Sequence, residues 1–189
     1  SLTFTPGNWN EPQMVTVTGV DDFVADGGVA YAIVTGAAVS ADPNYNGVNP
    51  TNVPVTNTDN DVAGFTVTPT SGLVTTEAGG TAAFTVALTS QPAANVTIGI
   101  MSGDMTEGTA SAASLTFTSL NWNTPQTVTV TGVNDLIADG SIVYTITTVA
   151  ATSTDANYSG LNAANVSVTN LDDDAAGITV VPTTGLVTT

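Results

Sequence analysis

Lysine, arginine, histidine and cysteine are all absent from this chain of 189 residues, which carries 16 Asp and Glu and a formal charge of −16. Each absence removes a class of function. Without Lys or Arg there is no side-chain cation to release counterions from phosphate, so nucleic acid is excluded as a partner, and anionic membrane surfaces with it. Without Cys or His there is no disulfide framework, and zinc loses its usual thiolate and imidazole donors. No run approaches the roughly 18 apolar residues of a membrane span, and no basic segment leads into an apolar one, so neither a span nor a signal peptide is expected. Hydrophobic residues nevertheless make up 42% of the chain, which points to a packed core rather than disorder.

The acids that remain are clustered at turn-like positions: Asp21, Asp22 and Asp26; Asp59 and Asp61; Asp135 and Asp139; and Asp172, Asp173 and Asp174. Two like charges about 4 Å apart repel by about 1 kcal/mol in water and about 4 kcal/mol at the intermediate dielectric of a half-buried loop. With no cationic side chain to offset this, converging carboxylates need a cation from solution. Donors that are all oxygen select a hard ion, Ca²⁺ rather than zinc or copper. The simpler alternative is a set of solvated turns, since Asp and Asn cap turns through their own backbone.

SLTFT at Ser1 recurs at Ser114, an offset of 114 − 1 = 113 that holds without a gap to Thr189. About two thirds of the paired positions are identical, among them Trp9 and Trp122, Gly19 and Gly132, and Tyr45 and Tyr158. This period is too long for a solenoid unit and matches a domain of about 100 residues, the size of an immunoglobulin-like sandwich. The acidic turns at 59–61 and 172–174 mark the natural cuts. Residues 1–61 read as the C-terminal part of one repeat, 62–174 as a complete repeat and 175–189 as the first strand of a third. The chain thus reads as an excerpt of a longer tandem array.

Threonine alternates with Val, Ile, Leu or Phe along most of the repeat, the pattern of antiparallel strands with one buried face. Strands are expected over 81–89, 95–101, 115–118, 127–133, 142–148 and 166–170, and no segment carries a helical period. The predicted fold class is all-β: tandem antiparallel sandwiches of about seven strands per repeat. The sequons at Asn95, Asn157 and Asn165 are short enough to arise by chance in a chain rich in Asn and Thr. Asp42 and Asp155, each two residues before an Asn-Tyr or Asn-containing turn, read as Asx turns. Trp9 and Trp122, each lying between two strands, read as packing residues, with sugar stacking as the alternative.

The order of VTTEAGGTAAFTVAL, SGDMTEGTA, SLTFT, NWNTPQTVTVTGVND and VSVTNLDDD within one repeat resembles the Calx-beta domain. That family is a calcium-binding, immunoglobulin-like sandwich found in exchangers, integrin subunits and large bacterial surface proteins. The resemblance implies calcium ligands at one end of the sandwich. Matched position by position, they are Glu77, Asp104, Asp135, Asp139, Asp172, Asp173 and Asp174. The earlier repeat keeps Asp21, Asp22, Asp26, Asp59 and Asp61 but has no counterpart of Glu77 or Asp104, so its site is expected to be incomplete. The pattern departs at Asn134, where the earlier repeat has Asp21, and at Asn60, where the later one has Asp173. Fewer acids than a sensor site imply one or two ions per domain, with dissociation constants of about 10⁻⁴–10⁻³ M.

The expected function is that of a non-enzymatic structural repeat in an extracellular bacterial surface protein or adhesin stalk, with Ca²⁺ at the domain junctions. Its expected partners are neighbouring repeats of the same chain. The alternative is a subunit of a self-assembling filament or surface layer, in which identical chains meet laterally. Glu77 and Glu107 as a glycoside-hydrolysing pair find no support from a cleft signature or other catalytic side chains.

Overall fold

The computed structural model describes residues 1–189 and has no helix. The chain forms two compact units, one of Ser1–Asp22 with Asp26–Asp59 and one of Phe23–Ala25 with Asn60–Thr189. In the first, β1 (Val29–Ile33) pairs antiparallel with β2 (Val53–Asn57).

The second unit holds β3 (Phe65–Thr68), β4 (Leu73–Thr76), β5 (Thr81–Leu88), β6 (Val96–Ser102) and β7 (Gly108–Ala110). It continues with β8 (Ser114–Phe117), β9 (Gln126–Gly132), β10 (Ile142–Thr148) and β11 (Val166–Leu171). These make a four-stranded sheet, β3-β5-β9-β7, and a five-stranded sheet, β4-β11-β10-β6-β8. The unit is an immunoglobulin-like β-sandwich.

Alternation builds its core, because every second side chain of a strand faces the other sheet. Phe84, Val86 and Leu88 of β5 and Val128 and Val130 of β9 face in from one sheet. Val96, Ile98 and Ile100 of β6, Tyr144 and Ile146 of β10, and Val166 and Val168 of β11 face in from the other; all are buried. Threonines occupy many of the outward positions, and Thr97 and Thr116 pair hydroxyls across β6 and β8 at 3.0 Å.

Nine short strands replace the expected count of about seven, partly because the opening strand is split between the sheets. Pro69 has no N–H to donate to a ladder, and Gly72 sits at φ 77°, in the left-handed region open to glycine. Before the break β3 pairs antiparallel with β5; after it β4 pairs with β11, the one parallel ladder of the unit.

The repeat reappears in three dimensions. β1 and β2 pair in the register Val29 to Asn57, and β10 and β11 in the register Ile142 to Asn170. Both partners move by the same 113 residues (142 − 29 and 170 − 57). Local hydrogen bonds move with them: Gly27 N–H donates to Asp59 as Gly140 N–H does to Asp172, both at 2.7 Å.

Candidate metal centre

Four acid-bearing segments meet at one pole of the second unit, because the strands that carry them end or begin there. Glu77 follows β4, Glu107 precedes β7, Asp135 and Asp139 follow β9, and Asp173 and Asp174 follow β11. They form two triads, Glu77 with Asp173 and Asp174, and Glu107 with Asp135 and Asp139. In each triad one carboxylate oxygen per residue lies within 4.8 Å of the others. Two oxygens on a single Ca²⁺, each at about 2.3–2.6 Å, are at most about 5 Å apart, so this spread is within one ion's reach.

The electrostatics of the pole are those of acids held together without counter-charge. Burial pushes the Glu77 carboxyl above the ordinary carboxylate range. A hydrogen bond from Asp173 N–H at 3.4 Å pulls it back in part, and the charges of Asp172, Asp135 and Asp173 push it further up. Asp174 is also raised, first by burial and then by Asp173, Asp172, Asp135 and Asp139. The charges of the second triad therefore reach the first. Asp174 Oδ2 is buried and accepts no hydrogen bond. A buried carboxylate oxygen with no protein donor, among other oxygens, fits a hard cation.

A neutral network supports the pole from below. Asn170, only 1% exposed, donates from Nδ2 to Glu107 Oε2 at 3.3 Å and to the Val133 carbonyl at 3.1 Å. Its Oδ1 accepts from Thr75 Oγ1 at 3.0 Å. The Tyr144 hydroxyl lies 3.5 Å from Thr75 Oγ1, and burial raises its pKa, with the Glu107 charge adding to the rise. Gly132 ends β9 against this network. A Cβ there would collide with the Thr76 carbonyl and Asn170 Oδ1, so only glycine lets the strands close around the acids.

Of the acids expected from the sequence, Glu77, Asp135, Asp139, Asp173 and Asp174 enter the triads. Asp104 lies outside them and caps its own turn: Oδ1 accepts from Thr106 N–H at 3.0 Å and Thr106 Oγ1 at 2.5 Å, and these bonds hold its carboxyl below the usual range. Asp172 uses its two oxygens for Gly140 N–H and Asp174 N–H, each at 2.7 Å, and so shapes the turn that presents Asp173 and Asp174. Asp21, Asp22, Asp26, Asp59 and Asp61 enter neither triad. Glu107 is the ligand candidate that sequence reasoning set aside, having weighed it only as half of a hydrolytic pair. Its signal was position, an acid immediately before the glycine that opens β7.

The opposite pole carries neither carboxylate triad. Asp155 accepts from Asn157 N–H and from Ala93 N–H, an Asx turn with an added bridge. In the first unit, Asp42 makes the counterpart turn with Asn44 N–H at 2.9 Å. Tyr158 is buried, its hydroxyl donating to the Ser90 carbonyl at 2.6 Å and its ring meeting Phe65 edge-on at 6.0 Å. Trp122 packs partly against the core, and its carbonyl accepts from Leu88 N–H.

No protein-family model and no curated protein matches the chain. Among solved structures it is similar to the apo-form Calx CBD1 domain, at 15% identity and a TM-score of 0.46, over 60% of this chain and 100% of that one. It is also similar to the periplasmic chaperone SfaE, at 8% identity and a TM-score of 0.44, over 58% of each chain. A third is WR4, an MSP family member of C. elegans, at 9% identity and a TM-score of 0.37, over 57% of this chain and 95% of that one. The sandwich assignment stands on the sheet topology itself.

Proposed function

We propose that the chain is a non-enzymatic structural segment of an extracellular bacterial surface protein, made of sandwich repeats whose acidic poles bind Ca²⁺. The observation that carries this reading is the pair of carboxylate triads at one pole of a chain that has no cationic side chain. The ligands would be Glu77, Asp173 and Asp174 on one side and Glu107, Asp135 and Asp139 on the other. Calcium supplies the charge that the chain lacks, so the ion acts on folding rather than on a reaction. A ligand that binds only the folded state stabilises it by RT ln(1 + [L]/Kd). At about 10 mM calcium and a dissociation constant of about 10⁻⁴–10⁻³ M, this is about 1.4–2.7 kcal/mol per site. Thermal melting with calcium and with EDTA tests the proposal. The expected result is a melting temperature several degrees higher in calcium and no equivalent gain in magnesium, whereas coincident curves in calcium and EDTA would overturn it.

A further inference from the structure

The loop between Asp135 and Asp139 presents two bulky aliphatic side chains to solvent: Leu136 is 87% exposed and Ile137 62% exposed. The 113-residue offset pairs 136–138 with Phe23–Ala25, and that segment is not free. Phe23–Ala25 belongs to the second unit. The Phe23 carbonyl accepts from Gln91 N–H at 2.6 Å, the Ala25 carbonyl accepts from Asn157 Nδ2 at 2.8 Å, and the Phe23 ring lies 5.7 Å from that of Trp122 at a tilt of 43°. Val24 and Ala25 are half-buried, whereas their counterparts Ile137 and Ala138 are exposed. Two of the three receiving groups also recur: Trp9 and Asn44 are the counterparts of Trp122 and Asn157, and Trp9 is 68% exposed.

We propose that residues 136–138 are a docking element for another copy of this repeat, seating on its Trp-bearing pole as Phe23–Ala25 seats on Trp122, Gln91 and Asn157. Two main-chain carbonyls supply the register, so the contact tolerates the change from Phe23 to Leu136, since only the apolar bulk must match. The element is flanked by Asp135 and Asp139, so an ion bound by them would brace its base. The inference rests on the tandem-repeat reading but not on calcium.

The chain has no cysteine, so one introduced thiol is a unique probe. Ile137→Cys is placed in the 189-residue chain and in the same chain lengthened by one period, with a copy of residues 77–189 joined after Thr189. Val24→Cys in the 189-residue chain sets the rate of a docked position. Maleimide labelling of Ile137→Cys is expected to be at least about tenfold slower in the lengthened chain, approaching the Val24→Cys rate. Changing the added copy's counterpart of Asn157 to Ala, an exposed position that leaves the core intact, should restore fast labelling. Equal rates in the two chains, with the lengthened chain melting cooperatively, would overturn the proposal. Running both arms in calcium and in EDTA separates the outcomes: protection in either condition supports the docking, while the melting difference alone reports on the ion.

Discussion

Glu77 and Asp174 hold more protons in the folded protein than in the unfolded chain, because burial and neighbouring acids raise both carboxyls. Without calcium, therefore, stability should rise as pH falls from 7 through their raised folded values toward the ordinary value of about 4. Asp104 works in the other direction. Its carboxyl is held low by Thr106, so its contribution is present above about pH 4 and is lost as pH falls through its lowered folded value. The expected profile in EDTA is a melting temperature that peaks on the acidic side of neutrality. In saturating calcium the order reverses at neutral pH, since the ion binds the deprotonated acids. Glu77→Gln should flatten the EDTA profile and shrink the calcium response together, and melting curves across pH in both buffers measure this. A variant that loses the pH dependence but keeps the full calcium response would remove Glu77 from the ligand set. The acids were visible in the sequence as clusters. Glu107 was not, because its nearest triad partner, Asp135, is 28 residues away along the chain (135 − 107).

At the level of strands and turns, alternation placed β5, β6, β8, β9, β10 and β11 within a residue or two of their observed bounds. A half-buried strand needs nothing beyond a period of two to declare itself. The split of the opening strand between sheets was not legible, since β3 and β4 are four residues each and their partners, β5 and β11, lie far apart in sequence. Gly132 is the position where strand packing and site meet. Gly132→Ala puts a methyl group against the Thr76 carbonyl and Asn170 Oδ1. The expected cost is about 1–3 kcal/mol, the usual range for overpacking. Chemical denaturation measures that loss, and a parallel drop in calcium affinity is expected because Asn170 holds Glu107. An unchanged denaturation midpoint would mean that the strand end relaxes freely.

For the chain as a whole, the proposed ions lie at a pole from which the last strand leads out of the sandwich, so their removal should loosen the chain as well as lower its stability. Solution scattering with and without EDTA checks this, with a smaller maximum dimension expected once calcium is withdrawn. Identical profiles would confine any ion to local stability. Composition alone settles some properties: with no Lys or Arg, trypsin finds no cleavage residue, and nucleic acid finds no cationic side chain. The sequence by itself determined the all-β class, the 113-residue repeat and the absence of any cationic side chain beside the clustered acids, because composition, periodicity and self-similarity are local or additive properties. Only the tertiary structure decided which acids share a site. It also decided that Asp104 and Asp172 shape turns and that Asn170 underpins Glu107, because these follow from which strand ends the two sheets bring to one pole.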